Sequence, residues 1–122
     1  MSSKYEVIFT PEAREDLSGL DGATVRRIAK GLKRLATNPL EFGQPLGSRN
    51  GSNLTGLRKY ALVNRSIRII YEVVEGNRVV VLWVIAKRSD DECYRLASER
   101  IPEIGSPVHR ALLERLLNSL RK

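Results

Sequence analysis

Several residue types that often carry chemistry are scarce in this chain of 122 residues. It has one cysteine, Cys93, and one histidine, His109. A disulfide framework is therefore excluded, and so is a zinc site built from Cys and His within one chain. A Ser or Cys catalytic triad needs a histidine, and His109 lies in the last predicted helix, outside the main domain, which counts strongly against triad hydrolysis.

Long apolar segments are also missing. No stretch approaches the ~18 apolar residues of a membrane span, since the longest run, Val79–Ala86, has the length of a strand. The first residues lack the apolar core of a signal peptide. With the single cysteine, these absences favour a cytoplasmic setting without a membrane partner. The sequence also lacks GxGxxG, Walker, HExxH and GxSxG motifs.

Acidic residues are absent from the middle of the chain. None occurs between Glu41 and Glu72, although residues 45–88 carry eight basic and two acidic side chains, a net +6 of the +7 for the whole chain. Such a block makes a positive surface suited to a polyanion. A solubility feature or a docking site for an acidic protein is the alternative. The basic side chains in the acid-free stretch are Arg49, Arg58, Lys59, Arg65 and Arg68.

The apolar pattern predicts one α+β domain with an extra helix at its end. Three strands joined by short turns must be antiparallel, and the two early helices are expected to cover one face of the sheet. The unbroken apolar run near residue 80 predicts a central strand covered on both faces. The predicted strands are 4–10, 54–63, 66–74 and 78–86, and the loop is 39–53. Three helices are predicted to begin after the caps Thr10, Ser89 and Ser106, and a fourth to start near Asp21.

Basic and phenolic side chains are the remaining candidates for chemistry. Each also has a structural explanation: Lys59 as a solvated strand lysine, Arg68 as a partner of Glu72, and the others as groups that close or pack the helix after residue 89. Acids at the start of that helix are read as favourable to the helix dipole rather than as metal ligands. The candidates are Lys59, Arg68, Arg88 and Tyr94.

Residues 4–101 resemble the RelE/ParE superfamily of toxins from type II toxin–antitoxin pairs, and residues 102–122 are then an appended linker and helix. The most specific features are the strand Ile67-Arg-Ile-Ile-Tyr71 and the ending Ala86-Lys-Arg-Ser-Asp with Tyr94 six residues past Arg88. The supporting features are Tyr-Glu-Val-Ile-Phe-Thr-Pro-Glu-Ala-Arg-Glu-Asp-Leu from residue 5, Asn38-Pro39, and Gly56-Leu-Arg-Lys-Tyr.

The resemblance implies a function that differs between two branches of the superfamily. RelE-like members are ribosome-dependent ribonucleases that cut messenger RNA, whereas ParE-like members inhibit DNA gyrase and generally lack the basic-plus-tyrosine set. This sequence keeps the set, which resembles the ribonuclease branch, with no cofactor or metal. Ile67 replaces an aromatic residue of the family strand, and Ala61 stands where some members have a second lysine.

By the same resemblance, catalysis is expected from Lys59, as base or electrostatic aid, from Arg68 and Arg88, as phosphate stabilisers, and from Tyr94, as orienter or acid. RNA binding is expected from Arg49, Arg58, Lys59, Arg65 and Lys87.

The implied partners are a cognate antitoxin, the ribosome and messenger RNA. Two alternatives remain open: a gyrase inhibitor of the ParE-like kind, and a toxin-fold protein without toxicity that acts only with its antitoxin. The leucine stripe of the final helix needs cover. We expect it to pack on its own sheet, with a homodimer through residues 107–122 as the alternative.

Overall fold

The computed structural model describes residues 4–49, 52–87 and 89–120. Within these ranges the chain forms an α+β fold, and none of its helices is both long and apolar enough to cross a bilayer. In chain order the elements are β1 (Glu6–Phe9), α1 (Pro11–Ser18), α2 (Gly22–Thr37), β2 (Gln44–Arg49), β3 (Ser52–Leu62), β4 (Ile67–Val74), β5 (Val79–Ala86), α3 (Asp90–Arg100) and α4 (Pro107–Leu120).

The strands form one sheet in the order β1-β5-β4-β3-β2. The predicted meander is confirmed, because β3, β4 and β5 pair in antiparallel fashion, while β1 runs parallel to β5. All eight residues of β5 are buried, as predicted for a strand covered on both faces. The prediction that this strand is central was wrong by one position, since β4 occupies the middle of the sheet.

The segment predicted as a loop, residues 39–53, contains a strand, and this prediction was wrong. β2 pairs with β3 at the edge of the sheet, with a register shift between Pro45 and Gly47. An edge strand tolerates proline because one side of its backbone needs no ladder hydrogen bond. The Gly and Pro content that indicated a loop therefore marks an irregular edge strand.

The helical hairpin of α1 and α2 covers one face of the sheet, as expected. Both helices begin where predicted: the Thr10 hydroxyl accepts from the amide of Ala13 at 3.2 Å, and the Asp21 carboxylate accepts from the amide of Thr24 at 3.3 Å. These caps satisfy amides that have no partner within the helix. The other face is covered by α3 and α4.

An irregularity between β4 and β5 supplies the docking point for α4. The register moves from Ile70 opposite Val84 to Tyr71 opposite Leu82, which leaves Trp83 as an extra residue. Such a bulge re-aims side chains, and Trp83 and Val84 both lie in the core under α3 and α4.

Helix α4 packs back on its own sheet, as expected. Glu72, on β4, accepts a hydrogen bond from the Trp83 indole at 3.1 Å and contacts Nε2 of His109 at 3.0 Å. Because the amide of Gly105 donates to Nδ1 of His109 at 3.1 Å, the ring proton lies on Nε2 and points to Glu72. The leucines that pack against this core are Leu112, Leu113, Leu116 and Leu117.

Candidate active site

Two of the candidate cations come together because of the register of β3 and β4. Lys59 lies opposite Ile70, and Ala61 lies opposite Arg68. Directly opposed residues share a face of the sheet, and so do residues two apart on one strand. Lys59 and Arg68 are therefore diagonal neighbours on the face that α3 covers.

Asp90 joins these two cations. It is the first residue of α3, directly after the cap Ser89, whose hydroxyl accepts from the amide of Glu92 at 3.3 Å. One carboxylate oxygen of Asp90 accepts from Nζ of Lys59 at 3.0 Å, and the other accepts from Nε of Arg68 at 2.5 Å. We call Lys59, Arg68 and Asp90 the Asp90 cluster.

The charges of the Asp90 cluster support one another. Burial raises the pKa of the Asp90 carboxyl, but the hydrogen bonds and positive charges of Lys59 and Arg68 outweigh burial and hold that pKa below its usual value. The carboxylate thus keeps its charge at neutral pH, and its ion pairs weaken only as the pH falls through the lowered pKa.

Tyr94 lies one turn further along α3 and packs beneath the lysine. Its side chain is buried among the core residues of this face, with 5% of the residue exposed. Nζ of Lys59 lies 5.9 Å from the centre of the Tyr94 ring, within the range of a cation–π interaction. Tyr94 therefore packs α3 on the sheet, as its structural explanation requires, and it also contacts Lys59.

The structural explanations for Lys59 and Arg68 do not hold. Lys59 is not solvated, because its side chain is 15% exposed and bonded to Asp90. Arg68 pairs with Asp90, whereas Glu72 binds Trp83 and His109.

The structure describes only some of the other basic candidates. Arg88 lies outside the residues that the structure describes, and so does the side chain of Arg49. Arg65, in the turn between β3 and β4, and Lys87, just after β5, are exposed. They lie at the same end of the sheet as the cluster, since Arg68 near the start of β4 pairs with Ala86 at the end of β5.

Arg58 faces the opposite side of the sheet from Lys59. It lies opposite Tyr71, whose ring belongs to the core under α1 and α2. The guanidinium donates to the Leu40 carbonyl at 2.8 Å and to the Gly43 carbonyl at 3.3 Å. Arg58 thus holds the loop before β2 and stands apart from the two cations on the other face.

Asp90 is the residue of the site that sequence reasoning missed. Its charge had a sufficient local explanation, the dipole of the helix that it begins. The signal was its position, because α3 begins shortly after the end of β5, and that end pairs with the start of β4, where Arg68 lies. Among residues 4–49, 52–87 and 89–120, no three His, Cys, Asp or Glu side chains are grouped to hold a metal ion.

Comparison with known proteins gives the family of the chain. The family described as ParE toxin of type II toxin-antitoxin system, parDE, matches residues 7–92. A protein of Escherichia coli described as a RelE-like toxin is 28% identical over 98 residues, which are 80% of this chain and 98% of that protein.

Solved structures of toxins share the architecture. A mutant of the E. coli toxin RelE in the free state matches with a TM-score of 0.66 and 21% identity, covering 82% of this chain and all of its own. A chain of the toxin–antitoxin complex RelBE2 from Mycobacterium tuberculosis matches with a TM-score of 0.61 and 26% identity over 70% of this chain and 100% of that one. The chain therefore belongs to the RelE/ParE superfamily of toxins from type II toxin–antitoxin systems.

Proposed function

We propose that this toxin is a ribosome-dependent endoribonuclease that cuts messenger RNA. The observation that carries the proposal is that Lys59 and Arg68 hold one anionic group between them, at 3.0 and 2.5 Å. Two cations spaced to bind one carboxylate are also suited to one phosphate, because both anions offer two oxygens to charged donors. The dependence on the ribosome rests on the resemblance to RelE-like members.

The proposed chemistry uses the RNA as its own nucleophile. The 2′-oxygen attacks the adjacent phosphorus, the bond from phosphorus to the 5′-oxygen breaks, and a cyclic phosphate and a free 5′-hydroxyl result. One proton leaves the 2′-hydroxyl for water, and one must reach the departing 5′-oxygen. The enzyme supplies charge for the phosphoryl oxygens and a proton donor.

The geometry suggests a role for each described residue. Arg68 stabilises the phosphoryl oxygens, with Arg88 in the same role by the resemblance. Lys59, an ammonium donor to Asp90 in the resting site, gives its proton to the 5′-oxygen and regains one from water. Tyr94 is too buried to stack on a base and acts as a positioning residue that carries Lys59 on its ring.

Inhibition of DNA gyrase is the second candidate. The matching family description names ParE toxins, and the resemblance implies gyrase inhibition for that branch. The set Lys59, Arg68 and Tyr94 favours the ribonuclease, because ParE-like members generally lack it. The antitoxin is expected to be a chain that covers the basic face, as wrapping segments do on other charged surfaces.

The test is cleavage of a defined message on purified ribosomes, mapped by primer extension. Lys59→Ala and Arg68→Ala are each expected to slow cutting by about 100-fold, the usual loss for one group that stabilises transition-state charge. Arg26→Ala is the matched control, because Arg26 is an exposed arginine of α2 on the other face. If Lys59→Ala and Arg68→Ala cut as fast as the unaltered protein, the catalytic roles assigned to these two residues are wrong.

Two further arms of this experiment separate the alternatives. Tyr94→Phe keeps the ring beneath Lys59, so its rate of cleavage should stay within a few-fold of that of the unaltered protein. Tyr94→Leu removes the ring, and its rate of cleavage should fall further than that. If the unaltered toxin leaves messages intact but blocks supercoiling by gyrase in vitro, the second candidate replaces the first.

A further inference from the structure

We infer that the Asp90 carboxylate is an internal stand-in for the RNA phosphate, which RNA must displace in order to bind. This inference rests on the proposed function, since it concerns the same two cations. It assigns to Asp90 a restraining role: the residue holds the site ordered and closed to RNA until a phosphate takes its place.

The first argument is geometric. Each carboxylate oxygen of Asp90 engages a different cation, Lys59 at 3.0 Å and Arg68 at 2.5 Å. A phosphodiester also carries one negative charge on two unbridged oxygens, so it competes for the same two donors. An ammonium and a guanidinium that both point at the carboxylate cannot serve a phosphate in the same arrangement.

The second argument is the order of exposure. The side chains of Lys59 and Arg68 are 15% and 24% exposed, whereas that of Asp90 is 40% exposed. The carboxylate is thus the most solvent-accessible member of the cluster. An RNA strand arriving from solvent meets its negative charge before it reaches the cations, and repulsion between like charges opposes the approach.

The third argument is the attachment of Asp90. Residue 90 is the first residue of α3, four residues after the buried β5 ends at Ala86. A change in the backbone or the side-chain rotamer there can move the carboxylate without disturbing the eight buried residues of β5. The cations themselves lie on two paired strands of the sheet, β3 and β4.

The experiment measures binding of a short single-stranded 2′-O-methyl RNA by fluorescence anisotropy at one fixed salt concentration. This probe binds without being cut, because its blocked 2′-oxygen cannot attack. Asp90→Asn, which removes the charge and keeps the size, is expected to bind the probe about tenfold more tightly than the unaltered protein.

The matched control is Asp91→Asn, which removes the same charge from the next residue, an exposed position in the same helical turn. It should tighten binding by no more than about twofold, because it leaves in place the Asp90 carboxylate that Lys59 and Arg68 hold. Equal effects of Asp90→Asn and Asp91→Asn would overturn the inference. Asp90→Ala is a second variant, for use if the asparagine chain folds poorly by circular dichroism.

Two more variants separate failure of the inference from failure of the proposed function. Lys59→Ala and Arg68→Ala should each weaken binding of the probe. If both bind as well as the unaltered protein, the cluster is not an RNA site, and both proposals are lost. If both weaken binding while Asp90→Asn behaves like Asp91→Asn, only the restraining role of Asp90 is lost.

Discussion

At the scale of single residues, the phenol of Tyr71 fastens the loop between α2 and β2 to the sheet. The side chain is fully buried, and its hydroxyl lies 2.8 Å from the carbonyl of Pro39 and 2.5 Å from that of Phe42. Nε of Arg58 donates to the same hydroxyl at 3.3 Å. There is no room beside this hydroxyl, since a Cβ on Gly43 would lie 2.5 Å from it.

We expect Tyr71→Phe to lower the free energy of unfolding by about 1–3 kcal/mol, because the Pro39 and Phe42 carbonyls and Nε of Arg58 lose their bonds to this hydroxyl. Urea unfolding measures the loss. Tyr60→Phe is the control: its ring keeps the contact with Phe42, whose centre is 5.9 Å away, and its effect should stay within about 0.5 kcal/mol. Equal losses in the two variants would contradict this role of the Tyr71 hydroxyl.

The stability that Tyr71→Phe loses should depend on pH, because the Tyr71 hydroxyl can ionise. Burial raises the pKa of Tyr71, although the hydrogen bond from Arg58 acts in the opposite direction. The pKa of Tyr71 in the folded protein therefore lies above its value in the unfolded chain, which is about 10. The contribution of the hydroxyl to the free energy of unfolding is complete below pH values of about 10 and declines as the pH rises toward the folded pKa. The difference between the unaltered protein and Tyr71→Phe should therefore shrink in strongly alkaline buffer.

At the scale of elements, two side chains complete the hydrogen bonding of β5 where β1 ends. β1 pairs with β5 as far as Leu82. Beyond that point the Trp83 carbonyl accepts from Arg100 at 3.1 Å, and the Ile85 amide donates to Asp16 at 3.0 Å. Asp16 and Arg100 also pair with each other through two bonds of 2.7 and 3.0 Å, which joins α1 to the end of α3.

Asp16→Asn is expected to destabilise the fold by about 1–3 kcal/mol, since it removes a charge-assisted pair whose side chains are each 18% exposed. The hydrogen bond to Asp16 is also the main cause that raises the pKa of Arg100. Thermal and urea unfolding measure the effect. Glu15→Gln, at the exposed neighbouring residue, is the control. A cost no larger than that of Glu15→Gln would show that the pair is replaced by water.

The elements that the sequence predicts well are those specified by local chemistry. The caps Thr10, Asp21 and Ser89 each mark a helix start because one side chain and an amide three residues later suffice. β2 was missed because its extended form depends on pairing with β3, and the bulge at Trp83 was missed because it depends on packing beneath α3 and α4. Contacts between distant residues leave no short sequence pattern.

At the scale of the whole molecule, α4 is part of the core that covers one face of the sheet. Four half-buried leucines and the bond between His109 and Glu72 hold it there, and both of these polar residues are buried. Removing residues 105–122 exposes that apolar surface and leaves Glu72 without one of its partners.

We expect this truncation to lower the free energy of unfolding by about 3 kcal/mol or more and to leave the oligomeric state unchanged. Urea unfolding and size exclusion with light scattering measure the two effects. His109→Ala in the full chain is the companion variant and should lose part of the same stability. A halving of the oligomeric mass on truncation would instead indicate a dimer through α4.

The site could be predicted only in part from the sequence, because its residues meet through the register of β3 and β4 and through the position of α3. The resemblance supplied Lys59, Arg68 and Tyr94, whose spacing along the chain says nothing of their contact. Asp90 remained hidden because its helix gave it a local explanation. The pairing of Glu72 with His109 was missed for a different reason: the leucine stripe of α4 predicts an apolar contact but does not say which surface it meets.

Trp83 gives the molecule an optical reporter of its own. It is the only tryptophan of the chain, it is 1% exposed, and its ring centre is 6.4 Å from that of His109. Indole emission moves to longer wavelength when water replaces an apolar surround. Release of the last helix, by a variant or by a bound partner, should therefore be visible as a colour shift in an unlabelled sample.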